Sequence, residues 1–97
     1  MNPAFATVRQ KLEHLKPELL KRYPIASIGL FGSVVRDDFT SNSDIDIIVD
    51  FNDKIGIEFI TLADELEEEL NYKVDLVSRD AIKPKYFEVI EPQIVYV

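Results

Sequence analysis

The sequence predicts an α+β fold, a small mixed β-sheet backed by helices, in one domain spanning residues 1–97. Three observations predict it. Segments with helix and strand periodicity alternate in the order helix–strand–turn–strand–helix–strand–helix, which calls for a sheet with helices packed on it. No internal repeat, low-complexity stretch or linker divides the 97 residues, which suffice for one domain and not for two. Hydrophobic residues make up 46% of the chain, enough for one modest core and too many for a disordered chain.

Each element has a local reason. Phe5, Val8, Leu12, Leu15, Leu19 and Leu20 recur near the helical period, so residues 3–22 are expected to be helical. Pro17 should kink that segment or split it into two short helices, and Pro24 ends it. Residues 25–31, IASIGLF, read as a buried strand ending at Gly32-Ser33. Residues 34–43 are polar and turn-like, with at most one helical turn. Residues 44–51, DIDIIVDF, form the clearest strand, with Ile45, Ile47 and Val49 on one face and Asp44, Asp46, Ile48 and Asp50 on the other. Residues 56–70 read as an amphipathic helix with Phe59, Leu62, Ala63, Leu66 and Leu70 inward, stopped at Asn71. KVDLV at 73–77 is a third strand, and Ser78–Ile82 a loop or single turn. Pro84 opens a last helix to about Ile90. Pro92 ends it, and QIVYV can add an edge strand.

Composition excludes several function classes. The chain has no cysteine, which rules out disulfides, thiolate metal sites and cysteine nucleophiles. No apolar run approaches the roughly 20 residues of a membrane span, and the N-terminus has no secretory pattern, so a cytoplasmic location is expected. Eighteen acidic against 11 basic residues give a net charge of −7. Proteins that grip long nucleic acid need a basic surface, so long RNA or DNA is not the expected partner. The acidic run Asp64, Glu65, Glu67, Glu68 and Glu69 reads as a solvated helix face.

The chemistry lies in three aspartates. Asp44 and Asp46 leave the same strand face roughly 7 Å apart at the Cα atoms. Strands disfavour aspartate, and like charges so close repel. A divalent cation would relieve that repulsion, and oxygen-only donors suit magnesium or manganese. Asp75 repeats the anomaly within KVDLV, and if the two strands are neighbours the three acids converge. Gly32 lets backbone N–H groups approach a ligand closely, and Ser33 adds a hydroxyl. Amides at the start of a following turn would favour phosphate. Each piece alone has a plainer explanation: a Gly-Ser turn, a surface Asp-x-Asp, or an ion pair of Asp75 with Lys73 or Arg79. Their order favours a phosphate cradle facing carboxylate-bound metal, the requirement for phosphoryl or nucleotidyl transfer.

LFGS, ten residues, SDIDIIVDF and a later KVDLVS together resemble the minimal nucleotidyltransferases of the DNA polymerase β superfamily. The resemblance covers about residues 10–95 and implies a polymerase-β-like fold. It implies that Gly32 and Ser33 contact the nucleotide phosphates and that Asp44 and Asp46 bind two Mg²⁺ ions, with Mn²⁺ as a substitute. It also implies that Asp75 binds the catalytic metal and helps deprotonate the acceptor. Arg36 matches an arginine of the Gly-Ser-x-x-Arg stretch and would touch phosphate or support the loop. Where the family often has glycine after that arginine, Asp37 and Asp38 follow here, and solvent-facing side chains would make them harmless.

Members this small resemble antitoxins paired with HEPN-domain toxins, transferring AMP from ATP to a tyrosine of the toxin. The chain has no second domain to hold an acceptor, so the acceptor is expected on a separate protein, in a hetero-oligomer. Two alternatives are an antitoxin acting by contact alone and a nucleotidyltransferase acting on a small molecule. His14 is expected on the surface. Tyr72, Tyr86, Phe87 and Tyr96 are expected mostly in the core, with a partner-binding patch of Tyr86, Phe87 and the IVYV tail as the other reading.

Overall fold

The structure is a computed structural model, and it describes residues 2–97. Helix α1 spans Pro3–Arg22 and strand β1 Ile25–Phe31, followed by a 3₁₀ turn at Gly32–Val35. Strand β2 covers Ile45–Phe51, helix α2 Glu58–Leu70 and strand β3 Val74–Ser78. A 3₁₀ turn at Arg79–Ala81 leads to helix α3, Pro84–Ile90. A last turn at Glu91–Gln93 precedes a short strand β4, Val95–Tyr96.

The four strands form one mixed sheet in the order β3-β2-β1-β4. β1 pairs antiparallel with β2 and β4, and β2 pairs parallel with β3. The parallel pair needs a crossover, which α2 supplies. Ile28 and Leu30 of β1 and Ile45, Ile47 and Val49 of β2 share the main core with α1 and α2, whose contributions are Phe5, Val8, Leu12, Leu19, Leu62, Leu66 and Leu70. Strand alternation turns Asp46 and Ile48 to the opposite face. There Ile48 and Phe87 are buried outside that cluster, and the Arg79 guanidinium lies 3.5 Å above the Phe87 ring.

Most element boundaries fall within two residues of the expected ones, and the differences have causes. α1 runs through Pro17 as one 20-residue helix and is not divided in two. Pro17 lies on its exposed side, where the missing N–H and the displaced carbonyl can be met by water. α2 starts at Glu58, whose carboxylate accepts a hydrogen bond from the Gly56 N–H at 2.8 Å. Asn71 ends it in the left-handed conformation at φ 60°. The acidic face of α2 is not simply solvated. Glu65 pairs with the Arg22 guanidinium and accepts from the Tyr23 hydroxyl at 3.1 Å. Glu67 accepts from the Val74 N–H at 2.8 Å and so fixes the start of β3.

Candidate active site

One edge of the sheet collects the sequence-predicted residues. β1 ends, and β2 and β3 begin, at that edge, so Gly32, Asp46 and Asp75 are brought together by topology. Phe31 sits opposite Asp46 in the β1–β2 ladder, and Asp46 opposite Asp75 in the β2–β3 ladder. Neighbouring strands lie about 4.8 Å apart, so the two carboxyl groups are side by side.

Gly32 adopts φ +75°, a conformation that L-residues with side chains rarely take. A Cβ there would overlap Asp46 Oδ2 and lie 2.9 Å from its Cγ. The glycine thus serves two purposes: it turns the chain into the 3₁₀ segment and leaves room for the carboxylate behind it. Ser33 is half-buried in that segment, and its carbonyl accepts the Arg36 N–H at 3.0 Å.

The electrostatics single out Asp46. Its carboxyl is pushed up to about 6, first by burial, then by the Asp75 and Asp44 charges, against a smaller opposing pull from Arg36. A hydrogen bond with Asp75 acts in the same upward direction. Asp44 precedes β2 and is exposed. The Thr40–Ser43 turn before it is closed by Thr40 N–H to Ser43 Oγ and Ser43 N–H to Thr40 O, both 3.0 Å. The expected convergence of three acids is therefore a close pair with Asp44 within charge reach. Among the described residues no group of three acidic or histidine side chains stands close enough to hold a metal ion. The donors nevertheless fit a hard cation. All are oxygens, the neighbouring acidic charges of Asp75 and Asp44 oppose ionisation of Asp46, and the glycine leaves Oδ2 of Asp46 uncovered by a side chain.

Asp75 is exposed, and among the described residues it forms no ion pair with Lys73 or Arg79. Arg36 is held by Asp38 at 3.1 Å and by Gln93 Oε1 at 3.2 Å. Asp38 faces solvent as expected, and it is also the ion-pair partner of Arg36. Two supporting residues escaped the sequence reading. Asn2 caps α1 through its Oδ1, and its Nδ2 donates to the carbonyls of Val34 and Arg36 at 3.0 and 2.8 Å, tying the helix to the turn that follows β1. The Asn-Pro pair is a local cap signal, but neither the Asn2 contacts to the turn nor the Gln93 contact has one. His14 is on the surface. Tyr86 and Tyr96 are 65% and 52% exposed, against the core expected for them, while Phe87 is buried as expected.

Fold and site together define a nucleotidyltransferase. The nucleotidyltransferase domain family matches residues 12–96, and the chain belongs to that family, which generally uses divalent metal ions. The protein adenylyltransferase MntA of Thermococcus cleftensis is 39% identical over 83 residues, covering 84% of each chain. A toxin–antitoxin structure with AMP-PNP matches at TM-score 0.72 and 30% identity over 87% of this chain and 70% of that one. A complex of tri-AMPylated Shewanella oneidensis HEPN toxin with its MNT antitoxin matches at TM-score 0.69 and 25% identity, over 92% of this chain and 70% of that one. Among the described residues no helix is long and apolar enough to cross a membrane.

Proposed function

We propose that the chain is a cytoplasmic, ATP-dependent protein adenylyltransferase and antitoxin that transfers AMP to a tyrosine of a partner HEPN-domain toxin. The observation that carries this reading is the side-by-side Asp46–Asp75 pair set against Gly32 at the start of the 3₁₀ turn. The relatives named above support the acceptor class.

In this reading the amides of Gly32 and Ser33 and the guanidinium of Arg36 hold the phosphates of ATP. The tyrosine oxygen forms a bond to the α-phosphorus while the bond from that phosphorus to the bridging oxygen of the β-phosphate breaks. Pyrophosphate leaves, and the phenolic proton passes to a carboxylate oxygen of Asp75. Asp75 also stands on an exposed edge strand, where a residue of another protein can reach it. Two Mg²⁺ ions, or Mn²⁺ in their place, held by Asp44, Asp46 and Asp75, would neutralise phosphate charge and polarise the phosphorus. The −7 charge favours a protein acceptor over a nucleic acid.

The test is incubation of the chain with ATP labelled at the α-phosphate, magnesium and the partner toxin. Label is expected on the toxin tyrosine and should be lost with Asp46→Asn. Full neutralisation of the toxin by a variant with Asp44, Asp46 and Asp75 all changed to Asn would establish a contact-only antitoxin instead.

A further inference from the structure

Asn2 makes three hydrogen bonds through one side chain, and they join two distant parts of the chain. Its Oδ1 accepts the Phe5 N–H at 2.9 Å and caps α1. Its Nδ2 donates to the carbonyls of Val34 at 3.0 Å and Arg36 at 2.8 Å. Capping alone does not call for this residue, since serine, threonine and aspartate also serve. Among these only asparagine carries an acceptor for the N–H together with two donors for the carbonyls. The three partners also fix which way the amide faces, because a flipped group would set its oxygen against two carbonyl oxygens.

The contacts bear directly on Arg36. Its N–H donates to the Ser33 carbonyl at 3.0 Å, and its own carbonyl accepts from Asn2. Both peptide planes that meet at the Arg36 Cα are thereby held, and with them the direction in which the side chain leaves the backbone. Val34 is anchored twice, by its buried side chain and by Asn2. The guanidinium ends against Asp38 and Gln93, and its charge is felt at Asp46. A short 3₁₀ turn has poor hydrogen-bond geometry of its own, so the bonds from outside decide how firmly Gly32–Val35 and the arginine after it are held.

We infer that Asn2 is a positioning residue for nucleotide binding, acting through Arg36, whose backbone it fixes from the N-terminus of α1. The inference rests on the adenylyltransferase reading, which gives Arg36 the phosphates of ATP. Helix α1 then does more than cover the sheet: the residue that caps it is part of the frame of the site.

The substitution Asn2→Asp tests it, because aspartate keeps the cap acceptor and removes both donors. Amide-resolved NMR should show a folded chain with the Phe5 N–H still protected and shifts concentrated at Val34–Asp37. Calorimetry with AMP-PNP and magnesium should show binding about tenfold weaker than in the unaltered chain, the weight of one misplaced charge-assisted contact. A double-mutant cycle with Arg36→Gln separates positioning from the added charge and from general loosening. If Asn2 acts through Arg36, the double variant binds no more weakly than Arg36→Gln alone. A through-space charge or a merely structural role multiplies the two losses instead. Multiplied losses, or unchanged affinity in Asn2→Asp, overturn the inference even if label transfer to the toxin succeeds. Failure of the unaltered chain to bind AMP-PNP overturns both the inference and the phosphate assignment. The expected cycle without label on the toxin upholds the role of Asn2 and removes only the protein acceptor.

Discussion

The Asp46 carboxyl titrates near 6 because burial and two acidic neighbours oppose its charge, and this makes stability depend on pH. The sign follows from the raised value. The native state holds this proton more tightly than the unfolded chain, so the associated stability is present below the ordinary carboxylate range and is lost as pH rises through about 6. Asp46→Asn should therefore stabilise the metal-free protein above pH 7, by about 1 kcal/mol once solvent screening of a half-exposed group is allowed for. Thermal melts at pH 8 and pH 4 check it, with the gain expected to vanish at the lower pH. Gly32→Ala should lower stability by about 1–3 kcal/mol, through the left-handed backbone and the collision with Asp46. It should abolish nucleotide binding as well, which calorimetry with AMP-PNP would read.

The acids were legible in the sequence because an aspartate in an apolar strand is a local anomaly. The same rule placed Asp75 in β3 and said nothing of its exposure. Exposure of β3 depends on sheet order, and no residue of KVDLV encodes which strand lies at the rim. Asn2 and Gln93 escaped for a related reason, their contacts lying 34 and 57 residues away along the chain.

Among the elements, α1 and β3 carry the informative departures. Pro17 was expected to kink its helix or split it in two; at its exposed position the surrounding turns and the packed face of α1 hold one continuous helix, so the split does not occur. Pro17→Ala restores a backbone donor and should raise stability by about 1–3 kcal/mol, less what the more flexible unfolded chain recovers. Chemical denaturation measures this, with the midpoint moving up at constant slope. The start of β3 depends on one side chain. Glu67→Ala leaves the part-buried Val74 N–H without its acceptor and should cost about 1–3 kcal/mol. Glu67→Gln keeps an oxygen in place and should cost less, which distinguishes the lost acceptor from lost charge. Periodicity placed Glu67 on the outer face of α2, but it is half-buried against the start of β3. Periodicity could not show that β3 passes beneath that face.

For the whole molecule, the alternation of periods was enough to read the fold class, since a sheet of this size needs helices to cover it. The adjacency of β2 and β3 was left as a condition, and the structure supplies it as a parallel pair across the α2 crossover. The distribution of exposed apolar surface did not follow. Tyr86 and Val89 are 65% and 67% exposed on α3 because a seven-residue helix over a narrow sheet buries only one stripe, here Phe87. Replacing both with serine should change stability by no more than about 0.5 kcal/mol per site, as thermal melts of the isolated chain would show.

β3 is bonded to the sheet along one side only and is latched at its start by Glu67. Local openings draw on such rims before the centre of a sheet. Amides of Asp75 and Leu76 should therefore exchange with solvent deuterium faster than those of Ile47 and Ile48. The juxtaposition of Asp46 and Asp75 then has a lifetime of its own, shorter than that of the folded state. A fraying event that carries Asp75 away from Asp46 suspends the site and leaves the β1–β2 hairpin standing.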